Sequence, residues 1–523
     1  MNVENERTRS LWMETPTPRF GPLTADAETD VLVIGAGIMG LTTAYEMARQ
    51  GRRVMVLDRG RFARGMTART TAHLAFECDD YFHELIKTFD LDHARAWYES
   101  QAASVDLFER ICRDEGIDCD FTRLDGYLMA AEEKDEDYLR KELEAAREVG
   151  FTDAEWVEAG TVASIDHAAI RFPRQGRFHP LKFLNGVMTA LKRDGVAMHD
   201  DTDVTKLEES GGQVLATTGF DHTIRAKQVV VATNSPFHLR VPLHTKQAPY
   251  RTYAIAAPVP KGSTPDILLW DTVEPGYHYV RLQPGESEDM LIVGGEDHKS
   301  GTEDDGDARI GHLEAWARAR YPQMGEVAYA WSGQVQEPAD YVGFIGVSPQ
   351  YEQVYLATGD SGQGITTGGV AALILGDLLM GRENAWAHLY DPHRKMHRSL
   401  GEYVKENVEA AKHWVELATA HEVKSIDEIA PGEGAVMKHD GKPVAVFRND
   451  EGEIHARSAV CTHAGCVVHW NGYERCWDCP CHGSQFSTDG EVLCGPAAAP
   501  LEAVDLEEDA PQPGDREQPQ AGL

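Results

Sequence analysis

Cysteine is almost absent from most of this chain of 523 residues: three cysteines stand at 78, 112 and 119, and the other six crowd between 461 and 494. A secreted disulfide scaffold spreads its cysteines throughout, so this distribution excludes one and points to local metal chemistry near the C-terminus. Basic residues are also scarce, 50 against 85 acidic ones, for a formal charge of -35 and a pI near 5.0. With no Lys/Arg block to offset that charge, a role on nucleic acid or an anionic membrane is disfavoured. The acidic surface suits solubility, as in a salty cell interior, or a basic electron-transfer partner. No apolar run approaches the roughly 20 residues needed to cross a bilayer. The opening MNVENERTRSLW lacks the basic-then-apolar pattern of a secretory leader, so the expectation is a cytoplasmic protein without a transmembrane segment. The length allows about three domains.

What is present begins with DVLVIGAGIMGLTTAYEMARQGRRVMVLDRG, residues 30–60. An apolar strand runs into Gly35, Gly37 and Gly40, then a helix, then a second strand ending at Asp58. Gly35 permits a tight turn, Gly37 lets backbone approach a pyrophosphate, and Gly40 allows close helix–strand packing. The helix N-terminus offers unpaired N–H groups to the diphosphate, and Asp58 stands where a carboxylate accepts hydrogen bonds from a ribose. Together they predict a dinucleotide site.

Helical spacing follows over 92–149, and then strand-like runs at 228–233, 250–256 and 289–295, which predict a second, largely β component. KSGTEDDGDAR, 299–309, reads as an exposed loop that could cover a substrate entrance. VYLATGDSGQGITTGGVAALILGDLLMG, 354–381, reads as a strand, a Gly/Ser/Thr turn and a helix whose small residues let backbone approach a flat cofactor. Charged helical sequence covers 392–421, and the acidic, proline-containing tail is expected to fray.

The decisive stretch is CTHAGC, 461–466, followed by CPCHGSQF, 479–486. Cys461 and His463 are one residue apart and Cys479 and His482 two, so each pair fits one loop and points into a common site. Two thiolates and two imidazoles suit an iron–sulfur centre, with imidazole in place of thiolate raising the reduction potential. A four-ligand zinc site is the competitor, although it leaves Cys466 and Cys481 unexplained.

This pattern resembles the Rieske 2Fe-2S family. The resemblance implies that Cys461 and Cys479 ligate one iron, that His463 and His482 ligate the other, and that Cys466 pairs with Cys481 in a disulfide protected by burial. It also places Ser484 near a bridging sulfide, unless that serine simply faces solvent. Cys476 and Cys494 have no place in the pattern and read as core residues.

The region 25–400 resembles the FAD-dependent D-amino-acid-oxidase-like (DAO) family. The resemblance rests on the glycine fingerprint, RFHPLKFLNGVMTALKRDG at 177–195, VVVATNS, and ATGDSGQGITTGG. RSLW, GMTARTTAHL and the attached cluster domain narrow it to bacterial DAO–Rieske fusions. It implies FAD, bound by Gly35, Gly37, Gly40 and Asp58 at the adenosine diphosphate, by Arg59, Thr70 and Thr71 near the ribityl or pyrophosphate, and by Val204 at adenine. Gly362, Gln363, Gly364 and Ile365 would approach the isoalloxazine. The fold expected is α/β plus α+β: a Rossmann-like FAD domain with an antiparallel substrate sheet, and a small all-β Rieske domain. FAD segments fall at about 27–78, 170–235 and 352–391, and substrate segments at 79–169 and 236–351. A helical linker at 392–424, the Rieske domain at 425–507 and a flexible tail at 508–523 complete the division.

For the substrate, Arg251 is a candidate carboxylate clamp and Tyr253 its orienter; His278 and Trp331 are weaker. No acid–base dyad is nominated. The function expected is oxidation of a small amine or amino acid, with electrons leaving through the cluster to an external acceptor. Alternatives are a simple oxidase with a structural Rieske domain, electron flow in reverse from an external donor, and a nonenzymatic redox sensor.

Overall fold

The computed structural model describes residues 6–239, 243–273, 276–396, 399–419 and 421–506. The tail assigned to 508–523 lies outside the described residues.

The strand Ala27–Ile34 is apolar on both faces because it is covered on both. Val31, Leu32 and Val33 are fully buried, each contributing about 1.5–3 kcal/mol of hydrophobic stabilisation. It pairs in parallel with Val54–Leu57 on one side and Thr223–Val231 on the other. Val354–Thr358 extends the parallel set beyond Thr223–Val231, and Ala197–His199 beyond Val54–Leu57, within a sheet of eight strands among the described residues.

Helices Ile38–Arg49 and Gly364–Leu378 pack together on this sheet, and small residues set their spacing. A Cβ on Gly368 would come within 2.9 Å of Ile38. Helix Leu91–Glu115 lies against Gly364–Leu378, with Ser104 Oγ donating to Thr366 O at 2.5 Å. Asp90 caps its start by accepting from His93 N at 3.0 Å, and Gly116 ends it in a left-handed conformation. A cap of that kind is worth about 1 kcal/mol.

The second sheet has nine strands and is antiparallel apart from one contact, Leu268–Asp271 running parallel to Thr122–Met129. Its longest strand, Gln247–Pro260, pairs with Glu288–Lys299 and with the edge strand Tyr329–Pro338. The C-terminal region holds two antiparallel sheets of three and four strands. Helix Leu400–Thr419 precedes it, in the stretch read as a linker. The segment 299–309 is a correction to the loop expectation. Residues 302–305 are exposed, but Asp304 accepts from Gly472 N at 2.7 Å and so docks on the cluster region, and a helix starts at Gly306.

Candidate functional site: a cofactor cavity against an iron–sulfur loop pair

Where the first strand ends, Gly35 adopts φ +104°, and a Cβ there would sit 2.3 Å from Ala232 O. Only glycine fits that turn. Its backbone opens onto a cavity whose empty space, open mouth included, is about 1720 Å³. The wall brings together Gly35, Gly37, Asp58, Arg59, Thr70, Thr71, Val204, Gly362, Gln363, Gly364 and Ile365, residues drawn from five stretches of sequence. Gly40 is not on the wall; it packs the helix onto Gly35. Asp58 accepts from Ala36 N at 2.7 Å and Gly60 N at 2.9 Å, which fixes the carboxylate at the rim of the turn. Arg59 reaches Asp203 at 3.0 Å. Gln363 donates to Glu77 O at 2.7 Å, anchoring the far turn. A long, glycine-walled cavity with a ribose-type carboxylate at one end fits FAD.

The sheet end of the cavity carries side chains that sequence reading missed: His73, Asp79, Trp270, Tyr277, Tyr279, Asp297 and Asp360. Burial pushes Asp79 up to about 6, Asp297 up to about 7 and Asp360 up to about 6. His73 and Asp360 lie inside the GMTARTTAHL and ATGDSGQG stretches, whereas no motif marks the other five, which adjacent strands and separate loops bring together.

The substrate candidates divide. Tyr253 touches the cavity, but its hydroxyl is bonded to His298 Nε2 at 3.0 Å. Trp331 also lines it, with its indole N–H donating to Arg69 O at 2.7 Å. Arg251 is absent from the wall: its guanidinium is held by Asp478 and Ser332, so a carboxylate of the chain itself fills the clamp. His278 stacks on Trp316 and bonds Asp271, also away from the wall.

In the C-terminal region two loops repeat one hydrogen-bond pattern. Cys461 N donates to Cys466 O at 2.8 Å and Gly465 N to Cys461 O at 2.9 Å. Cys479 N likewise donates to Ser484 O at 2.8 Å and Gly483 N to Cys479 O at 3.0 Å. The disulfide Cys466–Cys481 ties the loops. The Cys461 sulfur is pulled toward its thiolate form, down to about 7, first by Cys479 and also by the His463 amide and the Ser484 hydroxyl. The rings of His463 and His482 lie 5.0 Å apart, nearly perpendicular. His482 Nδ1 is buried with no hydrogen-bond partner among the described residues, as a ligating nitrogen would be. The sulfurs of Cys466, Cys479 and Cys481 also gather within 4.8 Å, but the disulfide removes two of them from metal binding. Cys461, Cys479, His463 and His482 fit a 2Fe-2S cluster. Cys476 is buried beside Asp478, whereas Cys494 is more than a core residue: it lines the FAD cavity with Gly495.

The profile of the family described as FAD dependent oxidoreductase (DAO) matches residues 30–378, and that of the Rieske [2Fe-2S] domain matches 414–505. The chain belongs to the DAO family of FAD-dependent oxidoreductases. It carries a Rieske domain in addition, and its cofactors are FAD and a 2Fe-2S cluster. It is 30% identical over 508 residues to the Rieske 2Fe-2S iron–sulfur protein YhfW of Bacillus subtilis (strain 168), covering 96% of this chain and 98% of that one. Among solved structures, glycine oxidase from Geobacillus kaustophilus superposes with a TM-score of 0.60 at 18% identity, over 71% of this chain and 99% of its own. L-Proline dehydrogenase from P. horikoshii gives 0.58 at 18%, over 71% and 98%. Both likenesses are of fold. No helix among the described residues is long and apolar enough to cross a membrane.

The Rieske region is bound tightly to the oxidoreductase. Arg69 joins Glu6 at 2.8 Å and Glu474 at 3.0 Å, all nearly fully buried. Burial alone would raise Glu474, but Arg69 and Arg251 hold it below the usual range. Gln334, on the cavity wall, donates through Nε2 to Gly483 O at 3.0 Å, and Gly483 follows the candidate ligand His482. Gly495 approaches the same loop so closely that a Cβ would meet Gly483 O at 2.4 Å. His244 packs against both candidate ligand imidazoles, with ring centres 4.7 Å from His463 and 5.5 Å from His482.

Proposed function

We propose that this protein oxidises a small amine or amino acid and passes the electrons through its own cluster to an external acceptor. The observation that carries the reading is the shared wall: Cys494, Gly495 and Gln334 face the FAD cavity while abutting the loop of His482 and Gly483. A domain retained only as a structural appendage has no need to seal the cofactor cavity of its neighbour. Support for the substrate class comes from the fold shared with a glycine oxidase and an L-proline dehydrogenase.

When bound, FAD takes a hydride equivalent from a C–H bond beside nitrogen, and a 2Fe-2S cluster carries one electron at a time. The chain's residues do the rest. Gly35, Gly37 and Asp58 would hold the adenosine diphosphate, with Arg59 and Val204 beside it. Thr70 and Thr71 would flank the middle of the cofactor, and Gly362–Ile365 would present backbone N–H groups to the ring. Cys461, Cys479, His463 and His482 would hold the cluster. The packed wall of Trp270, Tyr277, Tyr279 and Trp331 would exclude water from the reacting carbon. The contacts of Gln334 and Gly495 with the loop of His482 and Gly483 would hold the cluster site against the FAD cavity within one molecule.

The test is anaerobic stopped-flow absorbance of the fully loaded protein against amino acids and N-methylated amines. Bleaching of the flavin followed by the cluster is expected. Flavin bleaching beside a permanently oxidised cluster would sink the relay and leave a plain oxidase.

A further inference from the structure

The sheet end of the cavity is electrostatically one-sided. Tyr277 donates to Asp79 Oδ2 at 3.2 Å, and Asp79 lies against the flavin-side turn, where a Cβ on Gly362 would come within 2.4 Å of that oxygen. Asp297 lies near Thr252, whose hydroxyl holds its pKa down and shares a 2.6 Å hydrogen bond with Tyr279 OH. The carboxylate oxygen Oδ1 of Asp297 is buried and has no hydrogen-bond partner among the described residues. Beside these acids stands a π-surface. His73 lies 5.6 Å from Trp270 and 5.7 Å from Tyr279, and Tyr277 lies 5.6 Å from Tyr279, centre to centre.

No positive group answers them from the wall. Among the described lining residues the cationic side chains are Arg59 and Arg69, and there is no lysine. Arg59 is beside Asp203 at the adenosine end, and Arg69 is taken up by Glu6 and Glu474. His73 is kept neutral, its pKa pressed down to about 3 by burial first and then by Arg281. Arg251 faces Asp478 instead. A substrate carboxylate entering here would meet two acidic groups and no cationic side chain on the wall at that end, Arg309 acting on Asp297 only from off the wall, which disfavours the carboxylate. An ammonium would meet two carboxyl groups and aromatic faces, an arrangement that attracts cations.

We propose that this end of the cavity binds a cationic amine lacking a carboxylate, with Asp79 and Asp297 as the charge-selecting residues and Trp270, Tyr277 and Tyr279 as its aromatic wall. The assignment rests on the amine-oxidation reading above and narrows its substrate from amino acids in general to amines without an acid group. The raised pKa values of the two aspartates agree with it, since a bound cation supplies the charge that burial withholds from them.

The test is calorimetric binding to the FAD- and cluster-loaded full chain, using two ligands of similar size that cannot be oxidised at the flavin: benzyltrimethylammonium and benzoate. The cation is expected to bind at least tenfold more tightly. Asp79→Asn and Asp297→Asn, checked for retained flavin and cluster absorbance, are each expected to weaken the cation about tenfold without weakening benzoate. Benzoate as the tighter ligand, or a cation affinity unmoved by both substitutions, overturns the proposal. Flavin reduction by amino acids with benzoate as the tighter ligand would overturn this substrate class and leave the oxidoreductase reading. Cation-selective binding without flavin reduction by any amine would do the reverse.

Discussion

Arg251 donates to both carboxylate oxygens of Asp478, at 3.1 and 2.9 Å, and both side chains are almost wholly buried. The pair joins the strand Gln247–Pro260 of the nine-stranded sheet to the strand leading into the candidate ligand Cys479. A buried ion pair contributes little over a well-packed apolar pair, but removing one partner strands the other charge. Arg251→Met is therefore expected to lower stability by roughly 3–5 kcal/mol. Urea unfolding followed by the cluster's visible absorbance measures it, and a loss below about 1 kcal/mol would show that the pair does not hold the domains together.

Gln334 bridges the cavity and the cluster loop through its bond to Gly483 O. Gln334→Leu keeps the bulk and loses the bond, a change of about 0.5–1.5 kcal/mol in how firmly the loop is seated. Substrate-driven flavin bleaching should keep its rate, while cluster bleaching slows by roughly 3–10-fold, the same energy expressed as a rate. Equal slowing of both phases in single-turnover experiments would assign Gln334 to substrate binding instead.

Ser484 is fully buried, accepts from Ala497 N at 3.1 Å and lies close enough to the Cys461 sulfur to favour its thiolate form. A hydroxyl donor next to cluster sulfur stabilises the more negative, reduced state. Ser484→Ala is expected to lower the reduction potential by roughly 20–60 mV, the one-electron equivalent of a single hydrogen bond. A redox titration followed by electron paramagnetic resonance reads this directly, and an unchanged potential would mean the hydroxyl serves only Ala497.

Four carboxyl groups near the flavin-side turn have pKa values raised chiefly by burial: Asp79 to about 6, Asp360 to about 6, Asp297 to about 7 and Asp80 to about 8. The neighbouring Asp79 adds to the rise at Asp80. Each takes up its proton more readily folded than unfolded, so its stabilising effect is complete below about pH 4 and is lost as pH rises through about 6 to 8. Glu474 and Asp478 act oppositely, but their lowered values confine that effect to acid. Buried His73, His179, His238 and His298 have lowered values and act oppositely up to about pH 6.5. The melting temperature of the loaded protein should therefore fall between about pH 6.5 and 8.5, and Asp80→Asn should flatten the decline above about pH 7. A flat wild-type profile over that range would contradict the burial argument.

The local chemistry was legible from sequence. A turn that admits only glycine must be written as glycine, and two Cys/His pairs separated by one and two residues place their ligands within single loops. Those constraints act over a few residues, so Gly35, Asp58, Cys461 and His482 could be named at once. The strands at 31–34 and 54–57 were readable for the same reason, since burial on both faces requires continuous apolar runs. The run at 228–233, read with the second β component, instead lies in the parallel sheet beside the first strand.

Only the tertiary structure decided what those parts do to one another. Arg251 looked like a substrate clamp because an arginine on a substrate sheet pairs with some carboxylate, and the partner proved to be Asp478, 227 residues away. Cys494 looked like filler until the fold carried it to the cofactor cavity. Asp79 and Asp297 carried no sequence signal, because their environment comes from strands and loops distant in the chain. Ligand spacing is a short-range property of the polymer, whereas burial, charge pairing and cavity walls arise from packing surfaces together, and no local pattern encodes which surfaces will meet.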